Sequence, residues 1–299
     1  MIEVSHLTKR FGALVAVDDL SFQVQPGRVT GFLGPNGAGK TTTLRVGLGL
    51  VRATAGAVTF DGVPYGKLRR PLRRVGAALE ASSFHPGRTA REHLRCLAPQ
   101  AGVKADRCDE VLDLVGLTAA ADKRVKGFSL GMRGRLGLAA TLLGDPDILL
   151  LDEPTNGLDP EGIAWMRGLL RQMADEGRTV LISSHLLSEV QQTVDDVIII
   201  AHGKLVHASS LDELAARAEN RTLIVPADPR ALVTLARRQG WRLEPAPDGP
   251  TAAHLVGPTA AEIGHACYAA GVELYQLATQ REGLEGAFLQ LTEGQGAMR

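Results

Sequence analysis

Hydrophobic positions along the chain change their spacing several times, and each spacing predicts a different element. Apolar and polar residues alternate over residues 1–30, which predicts paired strands. Unbroken aliphatic runs at residues 29–33, 147–152 and 179–183 are typical of strands buried on both faces of a parallel sheet. Helical spacing prevails at about residues 80–145. These patterns predict an α/β protein with buried parallel strands, paired strands at residues 1–30 and a helical stretch at about residues 80–145.

Two further helices and a hairpin are predicted within this core. Residues 41–50 follow the first aliphatic run and predict a helix. A second helix opens at Asp159 and Pro160, because a proline in the first helical turn needs no N–H partner. Residues 197–201 and 205–208 predict a hairpin that closes this part of the chain.

The pattern changes near residue 220, where a second domain is predicted. No lysine occurs after Thr222, and Pro and Gly cluster at residues 245–250. Strand and helix patterns then alternate in the order βαββαβ, which predicts a small ferredoxin-like α+β sandwich. We therefore divide the chain into a first domain of residues 1–220 and an accessory or regulatory domain of residues 221–299.

Composition narrows the class of protein. Lys plus Arg and Asp plus Glu number 33 each, a balance that gives no support to a nucleic-acid partner bound through global positive charge. No apolar run approaches the roughly 20 residues that cross a bilayer, and the amino terminus lacks a signal-peptide pattern, so a cytoplasmic protein is predicted. Cys96, Cys108 and Cys267 lack metal-ligand spacing and are predicted to be buried free thiols.

The stretch LGPNGAGKTTTL at residues 33–44 places three glycines, a lysine and three threonines directly after a predicted strand. Residues 34–41 fit the pattern G-x-x-x-x-G-K-[ST] in full. Glycines let successive N–H groups point inward, and no Cβ blocks a phosphate there. Lys40 is predicted to reach the β- and γ-phosphates, and Thr41 to bind Mg²⁺. The alternative is an ordinary glycine-rich turn between a strand and a helix.

Asp152 and Glu153 end the second aliphatic run. In a phosphate-loop ATPase, an acid at the end of a strand near the loop holds Mg²⁺, and a second acid can polarise the attacking water. The alternative is a pair of strand-terminal carboxylates that only make turn hydrogen bonds. The phosphate loop upstream favours the metal and base roles.

Four motifs stand in a fixed order along residues 1–215: GPNGAGKTT, FSLGM, LLLDEPTNGLD and SSH. In these motifs and in their order, the chain resembles the nucleotide-binding subunit of an ABC transporter. The resemblance implies a P-loop NTPase fold with a RecA-like core, an antiparallel β subdomain and a helical ABC subdomain at about residues 80–145. It implies ATP and Mg²⁺ as cofactors. It also implies a homodimer or a pair of related ABC subunits, in which each phosphate loop meets the signature motif of the other chain. The implied location is the inner face of the cell membrane, against a separate multispanning permease.

The resemblance also implies roles for single residues. Glu153 is the implied catalytic base, His185 the contact to the γ-phosphate, and Lys40 a third catalytic group. Metal ligation is implied for Thr41, Asp152 and Glu80. Nucleotide binding is implied for Phe11, Gly34, Pro35, Asn36, Gly37, Ala38, Gly39, Lys40, Thr41, Thr42, Ser129 and Gly131. Packing is the plain alternative for Phe11, and helix capping for Ser129.

Some positions depart from the family pattern. Leu130 stands where the family usually has the first of two signature glycines, Met132 replaces the usual glutamine, and Gly134 stands where a second glutamine is common. Glu80 stands where a glutamine normally touches Mg²⁺; a carboxylate can still bind the metal but cannot donate a hydrogen bond. FSLGM and Glu80 resemble the drug and antibiotic exporter branch, which includes bacitracin-resistance-type ATPases.

The predicted function is therefore ATP hydrolysis that powers a separate permease for export of a drug, antibiotic or lipid. One alternative is an ABC-type ATPase that acts without a permease, in DNA repair or on ribosomes. Such relatives usually carry a coiled-coil insertion, zinc cysteines or two cassettes, and the sequence has none of these. Another alternative is a nucleotide-gated regulatory or scaffold protein, which the presence of Glu153 and His185 does not favour.

Overall fold

The structure is a computed structural model that describes residues 1–79, 84–217, 220–246, 251–281 and 288. It divides into two compact units, Met1–Leu211 and Asp212–Gln290, so the division falls before the predicted boundary after residue 220. That predicted boundary stays a prediction. Among the described residues, no helix is both long enough and apolar enough to span a membrane.

The first unit contains nine strands and seven α-helices among its described residues. The strands are β1 (Ile2–Phe11), β2 (Leu14–Val24), β3 (Arg28–Leu33), β4 (Ala55–Phe60), β5 (Val75–Ala78), β6 (Ile148–Asp152), β7 (Thr179–Ser184), β8 (Asp196–Ala201) and β9 (Lys204–Ser210). The helices are α1 (Lys40–Gly47), α2 (Pro71–Arg74), α3 (Ala90–Ala101), α4 (Asp106–Leu114), α5 (Leu130–Leu142), α6 (Pro160–Asp175) and α7 (Leu187–Val190). Short 3₁₀ turns lie at Tyr65–Lys67, Thr118–Ala120 and Val125–Gly127.

A six-stranded sheet in the order β5-β6-β7-β3-β8-β9 forms the centre of this unit. Its first five strands pair in parallel, and β9 closes the edge antiparallel to β8 as the predicted hairpin. The three aliphatic runs form β3, β6 and β7, in which nearly every residue is buried, as is typical of strands in a parallel sheet covered on both faces. Parallel pairing places the carboxyl ends of β3, β6 and β7 at one edge, where the phosphate loop follows β3.

Two smaller parts complete the predicted core. The antiparallel sheet β2-β1-β4 shares one hydrophobic cluster with the central sheet, in which Leu20, Phe32 and Leu181 are all buried. Helices α3, α4 and α5 form the helical part, and α3 begins with a capping box between Thr89 and Glu92. The α/β fold with an antiparallel β subdomain is thus confirmed.

The second unit begins with α8 (Leu211–Arg217), whose first residue is counted with the first unit. It continues with β10 (Asn220–Pro226), α9 (Pro229–Gln239), β11 (Arg242–Pro245), β12 (Ala253–Val256), α10 (Ala260–Ala270) and β13 (Leu274–Arg281). From β10 onward the order is βαββαβ, in an antiparallel sheet of order β11-β12-β10-β13. Helices α9 and α10 pack on this sheet through apolar side chains such as Leu235, Leu255 and Ile263. The ferredoxin-like classification stays a prediction that this strand order supports.

One prediction about the cysteines is wrong. Cys108 and Cys267 are buried, but Cys96 is exposed. Cys96 lies two residues from the buried Leu94 and two from the buried Ala98 on α3. At 3.6 residues per turn, a two-residue step leads to roughly the opposite face of a helix, so Cys96 points to solvent.

Candidate active site

The phosphate loop spans the turn from β3 to α1 and borders a cleft of about 230 Å³. The residues that line this cleft are Ala16, Asn36, Gly37, Ala38, Gly39, Lys40, Thr41, Thr42 and Glu153. Most of the predicted nucleotide-binding loop therefore lies around one cavity, together with the predicted base. Ala16 of β2 was not predicted, because nothing in a hydrophobic strand pattern marks it as a neighbour of this loop.

The three loop glycines are needed for different reasons. A Cβ at Gly34 would lie 2.3 Å from the carbonyl oxygen of Ile200. A Cβ at Gly39, where φ is +106°, would lie 2.6 Å from the carbonyl oxygen of Ala16. Gly37, at φ +82°, has no heavy atom within 4 Å of the same position. Gly34 and Gly39 thus allow the loop to pack on the protein, and of the three glycines only Gly37 has open space at the position of a Cβ.

Lys40 is buried beneath the loop and is surrounded by acceptors. Its Nζ donates to the carbonyl oxygens of Gly34, at 2.5 Å, and Pro35, at 3.3 Å. It also lies 4.0 Å from Oε1 of Glu153. Burial lowers the pKa of the Lys40 ammonium, and the charges of Glu153 and Asp152 oppose that shift. Phosphate oxygens in the cleft would supply further negative charge, which favours the charged ammonium.

Thr41 and Asp152 meet at the end of β6. Thr41 Oγ1 donates to Oδ2 of Asp152 at 2.7 Å. The other carboxylate oxygen of Asp152 accepts from the hydroxyl of Ser183, on the neighbouring strand β7. A hydroxyl and a carboxylate are hard oxygen ligands of the kind Mg²⁺ prefers. The residues present therefore fit a magnesium ion bound beside the phosphate loop. Glu80, the third predicted metal ligand, lies outside the described residues.

Glu153 and His185 form a close pair at the same edge of the sheet. Nδ1 of His185 lies 3.0 Å from Oε2 of Glu153. Glu153 has φ +49°, in the left-handed region that residues other than glycine rarely adopt. Such strain is typical of functional sites. Glu189 of α7 was not predicted, and its carboxylate lies within 4.8 Å of the ligand atoms of the other two residues.

The signature motif lies at the start of α5 and borders a second cleft, of about 500 Å³. Ser129 caps this helix, since its Oγ accepts from the backbone N–H of Met132 at 3.2 Å. Gly131 also lines this second cleft. Leu130 is 55% exposed and lies over Gly157 of the following loop. Within one chain, the phosphate loop and the signature motif therefore line different cavities.

Phe11 lies at the end of β1 and is 49% exposed. The ammonium of Lys9 sits 4.5 Å from the centre of its ring. Phe11 is not among the residues that line the cleft at the phosphate loop. Its stacking role stays a prediction, as do the roles of the other site residues. By fold and site together, the protein is a P-loop NTPase.

Comparison with known proteins identifies the family. The family described as ABC transporter matches residues 17–156. The bacitracin transport ATP-binding protein BcrA of Bacillus licheniformis is 47% identical over 220 residues, which cover 73% of this chain and 72% of that protein. BcrA of Enterococcus faecalis is 33% identical over 300 residues, which cover 99% of this chain and 97% of that protein.

The solved structures give the same fold. The ATP-binding cassette MJ0796, in a dimeric post-hydrolysis state bound to ADP and Pi, has a TM-score of 0.64 at 23% identity. The match covers 71% of this chain and 99% of that chain. The chain belongs to the ABC transporter family, as an ATP-binding subunit with ATPase activity that uses ATP and Mg²⁺. The predicted family, enzyme class and cofactors are confirmed.

Proposed function

We propose that this chain powers a separate multispanning permease that exports an antibiotic, drug or lipid. The names of two relatives, each a bacitracin transport ATP-binding protein, support antibiotic export. The same names do not favour an ATPase that acts without a permease. Since Lys plus Arg equals Asp plus Glu, we propose no nucleic-acid partner. The proposed location is the cytoplasmic face of the membrane, where ATP is available.

The observation that carries the proposal is the Glu153–His185 pair beside the phosphate loop. In the part of the chain that the structure describes, Glu153 is the only carboxylate that lines the cleft at that loop, and Nδ1 of His185 lies 3.0 Å from its Oε2. A carboxylate in this place can accept a proton from a water that attacks the γ-phosphate. His185 orients the carboxylate and reaches for the γ-phosphate, while Lys40 balances the phosphate charge. Thr41 and Asp152 would hold Mg²⁺, and the bound ion would supply positive charge near the phosphates.

A pair of subunits is proposed because each chain holds half of a site. The phosphate loop lines one cleft of the chain, and Ser129 and Gly131 line another. Two chains arranged head to tail bring the first cleft of one chain against the second cleft of its partner. Closure excludes water and strengthens every charge interaction with the phosphates. Hydrolysis then removes a phosphate held by both chains, so the pair loosens and moves the permease. The unit after residue 211 is proposed as an accessory or regulatory part.

The proposed base is tested with Glu153→Gln, and Glu161→Gln, at an exposed position on α6, serves as the control. We expect Glu153→Gln to bind ATP, to lose about 10²- to 10⁴-fold in turnover, and to form a dimer in the presence of ATP. Phosphate release and size-exclusion chromatography measure the two effects. Unchanged steady-state turnover would remove Glu153 from the role of base.

The proposed partner is tested by purifying the tagged chain from detergent-solubilised membranes. We expect a multispanning protein to co-purify in stoichiometric amount. Cells that lack the chain should also become more sensitive to bacitracin, and the Glu153→Gln chain should not restore resistance. Recovery of the chain with ribosomes or DNA, and not with a membrane protein, would support the alternative that needs no permease.

A further inference from the structure

One buried hydroxyl joins the two acids of the active site. Strands β6 and β7 pair in parallel with Asp152 opposite Ser183. Ser183 is 1% exposed, and its Oγ contacts Oδ1 of Asp152. The backbone N–H of Glu153 donates to Oγ of Ser183 at 3.0 Å. The side chain of Ser183 therefore touches both acids, although it lies about thirty residues away from them along the chain.

The chemistry of the two partners fixes the direction of both hydrogen bonds. A backbone N–H can only donate, and a carboxylate can only accept. The Ser183 hydroxyl must therefore accept a hydrogen bond from the N–H of Glu153 and donate one to the carboxylate of Asp152. Loss of the Ser183 hydroxyl would leave the N–H of Glu153 and Oδ1 of Asp152 without this hydrogen-bond partner.

Both bonds act on groups whose placement matters. Because Oδ1 of Asp152 is held by Ser183, Oδ2 is left to face Thr41 Oγ1, at 2.7 Å. Glu153 holds the left-handed backbone at φ +49°, and the bond from its N–H to Ser183 is one of the contacts that keep it there. Relaxation of that backbone would turn the Glu153 carboxylate away from His185.

We propose that Ser183 is a positioning residue for ATP hydrolysis. Its hydroxyl holds Asp152 toward the metal site and Glu153 toward the attacking water. The inference rests on the roles proposed above for those two acids. Ser183 is not among the residues that line the cleft at the phosphate loop, so we expect its hydroxyl to act through the two acids and not through a contact of its own with the triphosphate.

The test compares Ser183→Ala, which removes both bonds, with Ser183→Thr, which keeps a hydroxyl. Thr30→Val is the matched control, because Thr30 is equally buried on β3 and its hydroxyl has no hydrogen-bond partner among the described residues. For each variant, kcat, KM for ATP, the Mg²⁺ concentration for half-maximal activity and the thermal midpoint are measured. Binding of a non-hydrolysable ATP analogue is followed by calorimetry.

We expect Ser183→Ala to lower kcat about ten- to one-hundred-fold and to raise the Mg²⁺ requirement several-fold, as removal of an outer hydrogen-bond partner does at other metal sites. Analogue affinity should stay within about twofold, Ser183→Thr should recover most of the lost activity, and Thr30→Val should resemble the unchanged protein. An unchanged kcat in Ser183→Ala would overturn the inference. So would equal losses of kcat and analogue binding, which indicate a merely structural role.

The result also separates this inference from the proposed function. If Glu153→Gln is inactive and Ser183→Ala is fully active, only the role of Ser183 is wrong. If Glu153→Gln retains full turnover, the proposed base is wrong, and with it the reason for positioning Glu153. Loss of activity in both Glu153→Gln and Ser183→Ala, with recovery in Ser183→Thr, supports both.

Discussion

Gly37 offers the sharpest test of how phosphate approaches the loop. An alanine at this position meets no heavy atom within 4 Å, so its direct effect on folding comes only from the left-handed backbone at φ +82°. A residue with a Cβ in that region loses roughly 1–2 kcal/mol. For a domain of this size we expect the thermal midpoint to fall by about 2–4 °C per kcal/mol. The protein should therefore remain folded.

The effect of Gly37→Ala on nucleotide binding should be larger and specific. Because Gly37 lines the cleft, we expect the added methyl to take up space where phosphate oxygens would approach the loop N–H groups. Loss of one hydrogen bond to a charged group removes about 1.5–3 kcal/mol. Since a tenfold change corresponds to about 1.4 kcal/mol, we expect the Kd for ATP to rise about ten- to one-hundred-fold. Calorimetry with a non-hydrolysable analogue measures it.

Gly62 provides the matched control for Gly37. It lies in a turn at φ +79° and also has no heavy atom within 4 Å of a Cβ. Gly62→Ala should lower the thermal midpoint by the same amount and leave binding unchanged. Gly34→Ala should be far more destabilising, because its Cβ would lie 2.3 Å from the Ile200 carbonyl oxygen. Equal nucleotide affinity in Gly37→Ala and Gly62→Ala would refute the argument that phosphate lies against Gly37.

Three further predictions concern other parts of the chain. Phe11→Ala should raise the Kd for ATP about tenfold and leave that for tripolyphosphate unchanged, because base stacking is worth about 1–3 kcal/mol; calorimetry decides. Maleimide should label exposed Cys96 quickly and Cys108 slowly by mass spectrometry, since burial raises the pKa of the Cys108 thiol. Hydrogen bonds from Thr259 lower the pKa of Glu262. Their contribution to stability is present above the pKa of the unfolded carboxyl and is lost as pH falls through the lower pKa of the folded state. The decrease in thermal midpoint caused by Glu262→Ala should therefore become smaller as the pH is lowered. A decrease that is the same at every pH would contradict this prediction.

Local sequence was sufficient for the parts of the site that follow a strand directly. The run at residues 29–33 and the loop after it form one continuous unit, so motif and hydrophobic pattern together predicted the β3–loop–α1 turn. The two acids at the end of β6, Asp152 within the strand and Glu153 directly after it, were predicted in the same way. The helix after the loop ends at Gly47 and not at residue 50, because Gly49 takes a positive φ, which no hydrophobic count indicates.

Contacts across the sheet could not be predicted from the sequence. Ser183 reaches Asp152 only because β6 and β7 pair in one register, and a shift by one residue would turn its side chain to the other face. The close neighbours of Gly34 and Gly39, the carbonyl oxygens of Ile200 and Ala16, likewise belong to distant strands. The sequence therefore predicted that these glycines are needed but assigned the need to phosphate, whereas at two of the three positions the protein's own backbone requires it.

The departure at Leu130 has a physical counterpart in the loop that follows β6. A Cβ at Gly157 would lie 2.1 Å from Cδ2 of Leu130, and Gly157 itself has φ +76°. The leucine is accommodated because residue 157 has no side chain. Gly131 and Gly134 likewise face Leu158. A Cβ would lie 3.5 Å from Cδ2 of Leu158 at Gly131 and 3.8 Å from it at Gly134. The signature helix and this loop therefore pack as one surface, in which a bulky residue on one side meets a glycine on the other. A change at Leu130 thus acts on the position of Gly157 as well as on the signature motif.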